Sequence, residues 1–216
     1  MLKENKGKLM ISSIIILLPM VVGIILWDKL PEVITTHWDF HGEPDGFSSK
    51  AFVVFGMPLI LFALQFVCLL ATHFGNSQVA QNKKAVALIF WIVPAVSVFI
   101  FASMYATALG KDVSIELIAP LLTGFLFIVL GNYLPKVKQN WVIGIKIPWT
   151  LKDEENWNKT HRLSGKIWVV GGFAVLLGTF IDGKSAYTFM IAALLVMVLV
   201  PTIYSYVLYK KSKKVE

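Results

Sequence analysis

GNYLPKVKQNWVIGIKIPWTLKDEENWNKTHRLSGKIWVVGG, from Gly131 to Gly172, lies between two long apolar runs. It gathers seven Lys or Arg residues, three acids, four tryptophans and a histidine, and it holds Arg162, the only arginine of the chain. Its surroundings decide the fold. The 216 residues are 56% hydrophobic and 15% charged, whereas a soluble domain carries about 25% charged residues. The apolar residues fall in runs of about 18–25, the length that spans a bilayer as helix. The chain therefore reads as an all-α polytopic membrane protein with six transmembrane helices, roughly 9–27, 51–72, 86–109, 113–134, 164–181 and 186–209. The fifth is the weakest, because its continuous apolar part, Ile167 to Ile181, needs Ser164–Lys166 to reach across. Two regions follow. Residues 1–85 carry two spans and an outer loop, 28–50. Residues 86–216 carry four spans and an inner loop, 135–166.

Charge gives the orientation. On this layout sixteen Lys or Arg residues fall on the side of the N-terminus, the 73–85 and 135–166 loops and the C-terminal tail, and four fall on the other side. The positive-inside rule then places both termini in the cytoplasm. It also accounts for the net charge of +7 without direct nucleic-acid binding. The first apolar run follows Lys3, Lys6 and Lys8 as a signal peptide would. It is longer than a usual h-region and no A-x-A-like site follows, so it reads as a retained helix. Cys68 is the single cysteine, which excludes an intrachain disulfide and a cysteine metal site.

The spans hold little chemistry. Pro19, Pro58, Pro94, Pro120 and Pro201 fit membrane helices whose freed carbonyls find other partners. Gly171, Gly172, Ala174 and Gly178 allow close helix packing. Gln65 and Asn132 suit interhelical hydrogen bonds. Glu116 sits at a helix N-terminus, where the dipole favours an anion. A secondary transporter usually carries ionisable groups near the midplane, and these are scarce.

The outer loop contains His37, Trp38, His41 and Gly42. His37 and His41 are spaced to share a helix face and, with Asp39, Glu43 or Asp45, to hold zinc. The Glu of a metalloprotease motif is missing and Gly42 breaks a helix, so no metal is expected. A hydrogen-bonded structural loop, or recognition by Trp38, Phe40 and the histidines, are the other readings. In the inner loop, Lys136, Lys138 and Lys146 face anionic headgroups, and Trp141 and Trp149 suit the interfacial belt. Thr150-Leu151-Lys152-Asp153 has the form of a capping box, opening an amphipathic helix that runs into the fifth span. Trp157, His161 and Ser164 share one face of it, Glu155 and Lys159 pair on another, and Asn156, Asn158, Lys159 and Arg162 keep the remaining surface polar. His161 and Arg162 have no accompanying nucleophile, paired carboxylate or glycine-rich phosphate loop. Partner or headgroup binding and interfacial anchoring stand ahead of catalysis, and no cofactor is expected.

At this point a resemblance becomes specific. Gly131-Asn132-Tyr133-Leu134-Pro135-Lys136, then Asn140 with Ile143-Gly144-Ile145, then Pro148-Trp149-Thr150-Leu151, resemble the SdpI family of bacterial immunity proteins. So does Trp157 with Lys159-Thr160-His161-Arg162-Leu163 and Gly165-Lys166. The outer loop, through Leu30-Pro31, Thr36-His37-Trp38, Gly42-Glu43-Pro44-Asp45-Gly46 and Lys50, is similar to the domain of unknown function that commonly precedes this family's domain. Gln139, Lys146 and Ile147 depart from the family pattern of Pro, Arg and Thr. Lys146 keeps charge but lacks the bidentate fork of Arg. The resemblance implies a non-enzymatic protein of the bacterial plasma membrane that protects against a secreted toxin peptide. It further implies that some members hold a cytoplasmic transcriptional repressor at the membrane. Alternatives of other classes are a small-molecule or lipid transporter and a membrane enzyme acting on lipid headgroups.

Overall fold

The computed structural model describes residues 2–39, 41–75, 83–141 and 143–213. Phe40 of the outer-loop reading and position 214 of the tail lie outside these. The described residues form seven α-helices: α1 (Lys6–Ile25), α2 (Met57–Gly75), α3 (Lys83–Ala108), α4 (Ile115–Tyr133), α5 (Pro148–Lys152), α6 (Glu154–Thr179) and α7 (Gly183–Ser212). The protein is a helical multi-pass membrane protein, with two adjustments to the sequence expectation. Among the described residues, five helices rather than six are long and apolar enough to cross a membrane. The expected fifth span is the second half of α6. That helix is about 39 Å long at 1.5 Å per residue, but Lys159, Arg162 and Lys166 make its first half polar.

The second adjustment is a β-hairpin in the outer loop. Strands β1 (Val33–Trp38) and β2 (Pro44–Ser49) pair antiparallel, with Val33 opposite Ser49, Thr35 opposite Phe47 and Trp38 opposite Pro44. Val33-Ile34-Thr35-Thr36 is β-branched throughout and favours a strand, which cancels the helical spacing of the two histidines. The turn closes through Asp39, whose Oδ1 accepts from the backbone N–H groups of His41 and Glu43. Gly42 supplies the positive φ, +80°, that this turn requires.

By internal contacts the chain divides into Met1–Ile115 and Glu116–Glu216, whereas the sequence reading divided it at 85/86. The first unit is built on Leu30, Ile34, Val53, Val54, Phe101, Met104 and Tyr105. Lys50 anchors the hairpin beneath this core. Its buried ammonium donates to the carbonyls of Trp27 and Leu30, pairs with Glu32 at 2.8 Å and lies over the Trp27 ring. Gln65 donates from α2 to the Phe90 carbonyl of α3, the interhelical bond its type suggested.

The second unit packs α4, α6 and α7. A Cβ on Gly124 would meet the Gly172 carbonyl at 3.0 Å, and one on Gly131 would meet the Gly165 carbonyl at 2.9 Å. These pairs, seven residues apart on each helix, bring α4 and α6 together antiparallel. On another face of α6, Gly171 meets Ala193 and Met197, and Gly178 meets Ala186 and Phe189. Asn132 differs from expectation: its amide donates to the Ile128 carbonyl of its own helix. Glu116 is exposed in the first turn of α4.

Candidate functional site

The inner loop folds as a cap on the polar half of α6. Its organising residue is Trp157, which is 0% exposed. The ring stacks on His161 at 3.9 Å between centroids, and its indole N–H donates to the Val137 carbonyl at 2.7 Å. Trp157 is thus a core residue of the cap. Trp141, 69% exposed, keeps a side chain free for an interface.

His161 closes the loop onto the helix. Its Nδ1–H donates to the Trp157 carbonyl at 2.9 Å, and Nε2 accepts from the Ile145 N–H at 3.0 Å. That pairing requires the neutral Nδ1–H tautomer. Burial pushes the imidazole down to about 4, against the smaller opposing effect of its bond to Trp157. Both ring nitrogens are spent on the backbone, leaving no lone pair for acid–base work. Gly144 makes the approach possible. Its φ is +120°, and a Cβ there would lie 2.5 Å from His161 Nε2 and 2.8 Å from the Trp157 ring.

Asn140 ties the preceding turn. Its amide donates to the Lys138 and Ile143 carbonyls, and its carbonyl accepts from the Ile143 N–H. The Thr150 hydroxyl accepts from the Ile147 N–H at 3.2 Å and lies 2.6 Å from the Ile145 carbonyl. Thr150 was expected to cap the amphipathic helix. Instead it sits inside α5, which starts at Pro148, and the cap of α6 is Asp153, accepting from the N–H groups of Glu155 and Asn156. A carboxylate at N-cap satisfies free donors and meets the positive helix end. Trp149 of α5 packs its ring on Tyr206 and Tyr209 of α7. Pro135 sets its ring against Gly165.

A buried polar link joins α6 to α7. Asn156 donates to the Ser205 carbonyl at 2.9 Å and accepts from the hydroxyls of Ser205 and Thr160. Asn156 was expected on the polar surface and is 2% exposed. With Ser205 and Gln139, which donates to the Thr150 carbonyl, it is what the site reading missed. The signal was present: Asn156, Thr160 and Ser164 follow one another at helical spacing on the face that holds Trp157 and His161.

The expected site residues therefore separate into two groups. Pro135, Asn140, Gly144, Pro148, Trp149, Thr150, Trp157, Thr160, His161 and Gly165 build the cap, with Asn132 one turn before it. Arg162 projects from it, exposed and, among the described residues, without an ion pair. Glu155 and Lys159 pair beside it at 2.6 Å as expected. In the hairpin, His37 bonds Asp45 and Trp38 packs against the first unit's core. Among the described residues, no three His, Cys, Asp or Glu side chains converge.

Residues 136–205 match the SdpI/YfhL protein family, and residues 14–62 match a domain of unknown function, DUF1648. The chain is 31% identical over 207 residues to Immunity protein SdpI of Bacillus subtilis (strain 168), covering 94% of this chain and 97% of that protein. The chain belongs to the SdpI/YfhL family. Its family match begins in the inner loop and ends at Ser205, the residue that Asn156 grips. No solved structure matches the chain.

Proposed function

We propose that this chain is an immunity protein of the bacterial plasma membrane, protecting the cell against a secreted toxin or antimicrobial peptide. The observation that carries the reading is end-to-end likeness to an immunity protein, 31% identical over 94% of the chain. On this reading both termini are cytoplasmic, and the hairpin with His37, Trp38, His41 and Gly42 faces outward, where a secreted peptide arrives. The inner cap is a recognition element rather than a catalytic one. Its histidine is engaged on both nitrogens, while Arg162 is exposed on the helix that carries the cap. An exposed guanidinium on fixed backbone makes forked contacts to carboxylates that Lys does not copy. Its partner on this reading is a cytoplasmic repressor, captured when toxin engages the membrane part.

The test pairs survival with capture. Cells carrying the protein are expected to outgrow cells without it under toxin challenge; equal killing at normal membrane levels of protein would sink the immunity reading. Arg162→Ala is expected to keep membrane levels and lose capture of a candidate repressor in a toxin-stimulated pull-down, and Arg162→Lys to weaken it. Wild-type capture by Arg162→Ala would remove Arg162 from the partner surface. Lost survival at unchanged levels would instead move it into protection itself.

A further inference from the structure

Alongside their close contacts, α6 and α7 leave an apolar groove of about 380 Å³. Lys166 stands at one end and Phe189 towards the other, with Ala174 and Ala192 along the walls. The groove exists because these walls stop at Cβ, while Gly171 lets α7 approach at its floor. From Lys166 to Ala174 it runs about 12 Å along α6, at 1.5 Å per residue. One leaflet's hydrocarbon is about 15 Å deep, half of a core about 30 Å thick. Lys166 is exposed and has no acidic partner among the described residues. The lining is otherwise apolar.

We infer that this groove holds one acyl chain of an anionic phospholipid, whose phosphate meets the Lys166 ammonium. The groove's length, close to the hydrocarbon depth of one leaflet, and its apolar lining suit an acyl chain. A single acyl chain is narrow and runs parallel to the bounding helices. The charge selects the headgroup: a single cation at the polar end, above a lining without acids, complements a net negative head. A zwitterionic head brings its own cation beside Lys166. Such a lipid would also fill the face of α6 where its apolar run is short. The inference does not rest on immunity and involves neither toxin nor Arg162.

The experiment uses the purified full chain in detergent with phosphatidylglycerol carrying a mid-chain diazirine, and phosphatidylcholine carrying the same group. After irradiation, adducts are mapped by peptide mass spectrometry. Phosphatidylglycerol is expected to label residues 166–174 and 189–196 preferentially. Labelling should fall at least fivefold in Ala192→Leu, which fills the groove from an exposed position, and in Lys166→Gln. Lys166→Arg should keep it. Gel filtration shows whether each variant remains monodisperse, and Lys166→Gln changes only an exposed side chain. Adducts spread evenly over all lipid-facing helices, or undiminished groove labelling in Ala192→Leu, would overturn the inference. So would equal labelling by the two lipids with no response to Lys166→Gln.

Discussion

His161 shows how a residue that suggests chemistry is consumed by structure. Its motif neighbours, Thr160 and Arg162, gave no means to tell ligand from strut. The difference lies in backbone donors and acceptors sixteen and four residues away. The consequence is measurable. The folded state holds the imidazole neutral down to about pH 4, while the unfolded chain titrates near 6.5. Between those values the unfolded state binds more protons. Stability from this group is therefore complete above about pH 6.5 and is lost as pH falls towards 4, in total about 3 kcal/mol at about 1.4 kcal/mol per unit. Thermal unfolding in detergent at pH 7.5 and 4.5 should show this loss, and His161→Gln should be less stable at pH 7.5 with a shallower fall. Parallel profiles for the two proteins would contradict the assignment. Gly144→Ala should destabilise by about 1–3 kcal/mol through its positive φ, and more if the His161 contact breaks. Arg162, by contrast, was legible as a surface residue of this helix, and it is exposed.

At the scale of elements, the long helices were legible because apolar run length is a direct physical requirement of the bilayer. Small residues in the fifth span were legible as packing positions for the same kind of reason. The hairpin was not, because His37 and His41 at i, i+4 fit a helix and the β-branched run before them is only four residues long. Nor was the role of Lys50, whose partners are the end carbonyls after α1, twenty or more residues back. Lys50→Met keeps the stem that packs on Trp27 and removes only the donor. Without this donor, the buried Leu30 carbonyl and the part-buried Trp27 carbonyl should cost about 2 kcal/mol together, read as a lower unfolding temperature in detergent. Glu32→Gln should cost much less, since Glu32 is exposed at 86% and surface pairs contribute at most about 1 kcal/mol. Equal losses in the two variants would place the anchor in the ion pair instead. The cap of α6 was misread by three residues for a plainer reason. Thr150 and Asp153 are both good caps, and only the break after α5 shows which one the chain uses.

For the whole molecule, the number of crossings turns on α6. Among the described residues, five helices meet the length and apolarity of a span, and α6 does not. Its second half nevertheless lies antiparallel against α7, Gly171 beside Ala193 and Gly178 beside Ala186. Since α7 is apolar over the length of a bilayer, the matching stretch of α6 is expected at the same depth. Charge points the same way. With α6 crossing, sixteen basic residues share the inner side and four the outer. Without it, Lys210, Lys211, Lys213 and Lys214 move out and Lys184 moves in, leaving thirteen against seven. Basic residues flanking spans are the stronger topological signal, so six crossings with both ends inside is the expected arrangement. Single cysteines in a Cys68→Ser background distinguish the cases. From outside intact cells, a membrane-impermeant maleimide should label Glu43→Cys at the hairpin turn, and neither Asn158→Cys in the cap nor Ser212→Cys at the end of α7. All three label after permeabilisation. Outside labelling of Ser212→Cys with Asn158→Cys protected would mean that α6 turns back within its leaflet and the chain crosses five times. The two tail lysines that stack on Tyr206 and Tyr209 would then face the exterior, and the inner cap would lose its neighbouring basic surface.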